Sequence, residues 1–306
     1  MSDHRAPEPV VMDEAPDPAL DIVIVPRVRD IGGFEVRRVL PSARRKMVGP
    51  FIFLDQMGPA VFVPGAGVDV RPHPHIGLST VTYLFEGAMR HRDSVGSDQV
   101  IVPGDVNWMT AGRGIAHSER TPDEARANGQ AMFGLQMWVA LPAADEEGPP
   151  AFAHHAAGTL PEFEDRGARV RLVAGSFMGQ RSPVHVPWET LLADVTLAAG
   201  ARLPVSARHD ERAIFVVEGT ANLAGHRLAA GPLYVLKPDV EVTITADTAT
   251  RLVVLGGEPM DGPRHIWWNF VSSSKERIEQ AKADWAAGRF DRVVGDEHEF
   301  VPLPER

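Results

Sequence analysis

Apolar residues in this chain recur in short runs closed by proline or glycine, and almost none of the runs carries a helical period of useful length. From Ile22 the text reads IVIVPRV, GGFEVRRVL and MVGPFIFLDQMG, and it continues through VTYLFEG, QVIVPG, VNWMTAG and FGLQMWVAL to Leu141. β-Branched and aromatic residues dominate these runs and turn residues separate them, so each is read as a strand. A second block of the same kind extends from Val170 to about Gly257, with VRLVAGS, LLADVTLAAG, AIFVVEG, ANLAGHRLAAG, LYVLKP, VEVTITA and RLVVLGG. Many short strands joined by tight turns predict a sandwich or barrel from each block. The blocks also rhyme. VTYLFEG closes on Gly87 and AIFVVEG on Gly219, each an apolar strand ended by Glu-Gly, and a duplicated β-barrel accounts for both the rhyme and the 306-residue length.

The predicted organisation follows from shifts in this pattern. Residues 1–21 are acidic and rich in proline, too poor in apolar surface to offset the entropy of ordering, and are expected to form a mobile arm. Residues 22–142 form the first barrel. Residues 143–168, with AADEEGPP, AHHAAG and PEFEDRG, are the expected linker, and residues 169–258 form the second barrel. In the closing segment, 259–306, Ser273 and Glu276 read as a capping box. Ile278, Ala281 and Trp285 then recur at helical spacing until Gly288, predicting one amphipathic helix that packs back on a barrel. The adjacent Trp267 and Trp268 are expected to fill an interdomain seam, with stacking on a substrate as the alternative.

Composition narrows the chemistry. Lys and Arg number 31 against 41 Asp and Glu, a net charge of −10, which argues against direct contact with nucleic acid. There is no cysteine. Disulfides, Fe–S clusters, thiolate metal sites and a cysteine nucleophile are thereby excluded, leaving histidine and carboxylate as the strong metal ligands. The N-terminus lacks the basic start and apolar run of a signal peptide, and no apolar stretch approaches a membrane span, so a soluble cytoplasmic protein is expected.

Two spaced pairs then stand out between Arg71 and Glu119: His73 and His75 in RPHPHIG, and His117 and Glu119 in IAHSE. On strands, a period of two places each pair on one face, and strands folded side by side bring four ligands to one point. Imidazole and carboxylate together suit one divalent ion, Fe(II), Mn(II), Ni(II), Co(II) or Zn(II), with positions left open. The competing reading is of histidines that merely satisfy polar core positions. His209 and Glu211 form the same spacing with no second pair before them, so a pair alone carries little.

PHPHIGLSTVTYLFEGAMRHRDSVGS, VPGDVNWMTAGRGIAHSE and GLQMWVALP closely resemble the pirin family, a branch of the cupin superfamily. The resemblance implies an all-β chain of two cupin jelly-roll β-barrels, a bicupin, with a short C-terminal helix and a single metal in the N-terminal barrel. The family's ligands fall on His73, His75, His117 and Glu119. The general cupin acid would stand where this chain has Ser79 or Thr80, which puts the substrate preference in doubt. In the second barrel the corresponding ligand positions are Val205 and Ala207, which cannot bind metal.

By the same resemblance the activity expected is that of a quercetin dioxygenase: a flavonol and O₂ as substrates, Fe(II) as the metal, ring opening with release of carbon monoxide, and Glu119 as catalytic base. Trp108, Met109, Gln136 and Trp138 either line an aromatic pocket or belong to the barrel core. His91 and Asp93 either hold the ligands from behind or form a polar turn. The alternative function is a non-catalytic, iron-dependent regulator that binds a transcription factor or a metabolic enzyme.

Overall fold

The computed structural model describes residues 18–30 and 34–305, and strand dominates throughout. The chain divides into two units. The first takes in the described residues as far as Arg29, together with Arg37–Leu54 and Leu160–Pro259. Its larger sheet runs, neighbour by neighbour, through Leu20–Ile24, Leu233–Leu236, Glu211–Glu218, Thr250–Gly257, Thr190–Leu197, Ala168–Phe177 and Glu162–Asp165. The smaller sheet runs through Arg202–Val205, Val242–Ala246, Thr220–Leu223 and His226–Ala229. Alternate residues of both sheets meet in one core: Val170, Leu172, Ile214, Val216, Leu252 and Val254 from the larger, Leu203, Val205, Ala221, Leu223 and Ile244 from the smaller. Each Val, Leu or Ile among them contributes about 1.5–3 kcal/mol by leaving water, so burial of the alternating apolar positions closes the sandwich.

The second unit takes in the remaining described chain. Its strands are β1 (Phe51–Phe62, in this unit from Asp55), β2 (Asp69–His75), β3 (Leu78–Glu86), β4 (Met89–Asp93), β5 (Asp98–Ile101), β6 (Val106–Thr110), β7 (Ile115–Arg120), β8 (Gln130–Ala140) and β9 (Ala151–His155). A hairpin of β10 (His265–Trp267) and β11 (Phe270–Ser272) follows. One sheet contains the order β9-β6-β3-β8-β1 and the other is β2-β7-β4-β5. The helices are α1 (Asp123–Asn128) and α2 (Lys275–Ala286). No helix among the described residues is long and apolar enough to cross a membrane.

Several boundaries differ from the sequence reading. Most of the expected mobile arm, residues 1–17, lies outside the described residues, but Leu20 and Asp21 open a strand that pairs antiparallel with Leu233–Leu236, so the first strand among the described residues belongs to the later barrel's sheet. The expected linker 143–168 contains two paired strands: β9 joins β6, and Glu162–Asp165 joins Ala168–Phe177. Its Pro, Gly and charged residues hid two short edge strands, one paired with the much earlier β6 and the other in a tight hairpin turning at Arg166-Gly167. The predicted helix is present, with Ile278 and Ala281 buried, but its N-cap is Ser274, whose Oγ accepts from the Arg277 N–H. Ser273 instead donates its N–H and hydroxyl to Glu146. Trp267 and Trp268 pack with Ile76, Phe270 and α2 inside the second unit, where Trp268 lies in the β10–β11 turn with φ 52°.

Gly77, between β2 and β3, has φ +65°, and a Cβ there would lie 2.1 Å from the Val271 carbonyl oxygen. Backbone crowds backbone at this point, so no side chain can yield. Gly77→Ala is expected to cost about 2 kcal/mol or more, read as a lowered urea midpoint at unchanged m-value.

Candidate metal centre

Antiparallel pairing of β2 with β7 sets His73 opposite His117 and His75 opposite Ile115. Beyond His117 the register shifts, and Glu119 pairs with Val70. Two steps along β7 therefore match three along β2, a bulge at Arg71-Pro72, where the missing proline N–H disturbs no ladder. The bulge leaves the Arg71 carbonyl free to accept from His73 Nδ1 at 2.8 Å. On the other side of β7, His117 faces Asp93 and Glu119 faces His91, so β4 contributes its own alternating pair to the same surface.

His73, His75 and His117 are buried, with ring centroids 4.3–5.0 Å apart and a ligand nitrogen of each within 4.8 Å of the others. The hydrogen-bond partners assign their tautomers. His73 Nδ1–H donates to Arg71, and His75 Nδ1–H donates to the Asn269 carbonyl at 3.1 Å. His91 Nε2–H donates to Asp93 at 3.0 Å, which leaves His91 Nδ1 to accept from His117 Nδ1–H at 3.4 Å. All three outer nitrogens are thus protonated and all three Nε2 atoms carry lone pairs. His75 Nε2 and His117 Nε2 lie 3.1 Å apart with no proton to share. Two facing lone pairs repel unless a cation lies between them, and this separation is about the edge that two imidazole ligands span at bonds of about 2.1 Å. The donor set fits a divalent ion.

Burial sets the charge states. It lowers His73 to about 4, against the Arg71 carbonyl, and it holds His75 and His117 well below the ordinary value, with neighbouring imidazoles adding to the effect. The rings are neutral at pH 7, the form that binds metal. Glu119 is raised, again by burial, with His91 and the Thr82 hydroxyl opposing. For Asp93 burial works upward, but hydrogen bonds from His91 and the Ser97 backbone N–H outweigh it and bring the carboxyl below its usual range.

The four expected ligands do not form one tight group. The three histidines form one, while Glu119 groups with His117 and His91, and His117 is common to both. Thr82 explains the offset, since its hydroxyl stands 3.0 Å from Glu119 Oε1 and 3.0 Å from Gln136 Oε1. His91 backs His117 directly, while Asp93 does both jobs: its Oδ2 accepts from His91 and its Oδ1 accepts from the Val95 and Ser97 N–H groups of the following turn; Phe152 of β9 stacks on His91 at 4.4 Å. Of the expected pocket residues, Met109, Gln136 and Trp138 share the face of Thr80 and Thr82, and Trp138 meets the His75 ring edge-on at 5.2 Å. Trp108 does not share it. Pairing with Val81 and Ala153 projects Trp108 from the opposite face, away from Met109. Thr80 is likewise the inward member of the Ser79–Thr80 pair, and Ser79 turns to Thr110.

Sequence reasoning missed Thr82, Phe152 and the Asn269 carbonyl. The polar alternation Thr80, Thr82 in an otherwise apolar strand was a usable signal for the first. A backbone carbonyl carries none. In the first unit, His209 Nε2–H donates to the Ser176 carbonyl at 3.0 Å, while Glu211 accepts from the Gly49 N–H at 2.6 Å, and Val205 lies in the apolar core.

The model of the Pirin family matches residues 33–139, and that of the Pirin C-terminal cupin domain matches residues 192–291. A pirin-like protein of Caulobacter vibrioides is 50% identical over 289 residues, covering 94% of this chain and all of that protein. A crystal structure of quercetin 2,3-dioxygenase from Acinetobacter baumannii superposes with TM-score 0.86 at 34% identity, covering 93% of this chain and 95% of that one. The Escherichia coli pirin YhhW in complex with nickel(II) shares the fold at TM-score 0.61 and 18% identity, over 77% of this chain and 96% of its own.

The histidine shifts carry a pH dependence. With His73 at about 4 when folded and 6.5 when unfolded, the unfolded chain holds more protons between those values. His73 therefore adds stability that is complete above pH 6.5 and is lost as pH falls toward 4. Urea midpoints of the ion-free protein are expected to drop across this window, and His73→Gln is expected to flatten the slope.

Proposed function

Because the chain belongs to the pirin family, we propose that it is a metal-dependent dioxygenase that opens the central ring of quercetin or a related flavonol with O₂ and releases carbon monoxide. One observation carries the reading: three buried neutral imidazoles from two paired strands turn their lone pairs on one point beside a buried glutamate of raised proton affinity. His73, His75 and His117 would hold the ion, and Glu119 would join them. Fe(II) is the ion proposed, and its likeness to Mn(II), Ni(II), Co(II) and Zn(II) in accepting nitrogen and oxygen ligands leaves the same donors open to those metals. When bound, the ion supplies Lewis-acid polarisation of the flavonol hydroxyl and a redox-active neighbour for O₂.

The rest of the work falls to this chain's residues. Burial raises the proton affinity of Glu119, which suits it to take the proton of the substrate hydroxyl, and electron density then rises on the ring that O₂ attacks. Thr82, 3.0 Å from Oε1, holds the carboxylate in place and can release it as the proton arrives. Asp93 and His91 keep a proton on His117 Nδ1, so that Nε2 stays available as a ligand. Met109, Trp138 and Phe152 supply the apolar surface a flat aromatic substrate needs. The similarity to the Acinetobacter quercetin 2,3-dioxygenase supports this choice of substrate class.

Two measurements test the proposal. Purified protein loaded anaerobically with Fe(II) is expected to retain one ion per chain, and His117→Ala to weaken that binding by more than about 100-fold, the upper end of what partners behind a ligand cost. Mixed with quercetin and then with air, the loaded protein is expected to bleach the flavonol absorbance and evolve carbon monoxide. Full metal binding without turnover on any of the five metals would sink the enzymatic reading.

A further inference from the structure

Four polar residues form one cross-strand row on the inner face of the larger sheet of the second unit. Gln136 of β8 pairs with Thr82 of β3, Thr82 with Asn107 of β6, and Asn107 with His154 of β9. Residues directly opposite in antiparallel strands point to the same side, so all four share the face of Met109, Trp138 and Phe152. The middle of the row touches the candidate centre, since Thr82 stands 3.0 Å from Glu119.

Asn107 is the member whose chemistry nothing yet uses. It is 3% exposed, and its Oδ1 is tied to His154 Nδ1 at 2.8 Å. Its Nδ2 is buried and has no hydrogen-bond partner among the described residues. A buried amide donor left unmatched gives up its hydration with nothing in exchange, and such groups are rare in native proteins unless something binds them. The two ends of a carboxamide diverge, so the bond to His154 turns the free end away from β9. Adjacent strands stand about 4.8 Å apart, which puts Asn107 one strand from the hydroxyl that holds Glu119.

We infer that Asn107 is a specificity residue: its free amide end binds one oxygen substituent of an aromatic substrate whose reacting hydroxyl lies at Glu119, and His154 is the positioning residue that aims it. The inference rests on the flavonol reading and adds to it a particular discrimination between substrates. A flavonol carries several hydroxyl and carbonyl oxygens on a rigid frame, so a donor at a set distance from the centre accepts one substitution pattern and penalises the frame that lacks that oxygen. A site that hydrogen-bonds a substrate group rejects the analogue without it more strongly than an apolar wall rejects an added hydroxyl.

The test is anaerobic titration of metal-loaded protein with quercetin and with flavonols that each lack one of its hydroxyls. On the wild type, one analogue is expected to bind about tenfold more weakly than quercetin, the equivalent of one hydrogen bond. In Asn107→Leu the affinity for quercetin is expected to fall about tenfold, with no further loss for that analogue, while metal content stays at one per chain. Asn107→Ser provides a second variant should leucine disturb the fold. If both variants keep the wild-type affinities and preferences, the amide serves a buried water only and the inference is overturned. If the metal-loaded wild type binds no flavonol, the functional reading fails and the inference with it, an outcome visible before any variant is made.

Discussion

Three imidazole lone pairs facing one another in a buried interior is the constraint around which the second unit is arranged. Neutral rings in such a place repel, and they persist only where each outer nitrogen is held by its own partner. Those partners are the Arg71 carbonyl, the Asn269 carbonyl and His91, and each comes from a different structural device: a bulge, a hairpin turn and a neighbouring strand. Together they decide the tautomers, and the tautomers decide that every Nε2 points its lone pair inward.

The same burial that keeps the histidines neutral works in the opposite sense on Glu119. Desolvation disfavours charge whatever its sign, so it lowers the imidazoles and raises the carboxylate. A single physical cause therefore prepares ligands and base at once. Thr82 and Asp93 then refine the outcome with hydrogen bonds, one easing the rise of Glu119 and the other fixing the proton on His91. Row neighbours of Thr82 extend this polar surface across four strands, where an all-apolar sheet would have served the core better.

Much of the fold was legible from alternation. Strands ending in Glu-Gly at Gly87 and Gly219 are strands in the structure, and both glycines take the positive φ, 84° and 81°, that ends them. The H-x-H and H-x-E pairs were legible for the same reason, since a period of two puts alternate residues on one face. Boundaries were less so: the strand at Leu20–Ile24 and β9 pair with strands far along the chain, and long-range pairing leaves no local mark. Trp108 shows the limit within a single strand, for composition grouped it with Met109 while the pleat separates them.

By itself the sequence determined which side chains could carry the chemistry. Without cysteine, the strong ligands had to be histidine and carboxylate, and their spacing required strands to align them. Tertiary structure alone decided how those ligands are oriented and charged. The bulge at Arg71-Pro72, the Asn269 carbonyl, the offset of Glu119 toward Thr82 and the free end of Asn107 all arise from contacts between strands, where register and burial act and where no single stretch of sequence holds both partners.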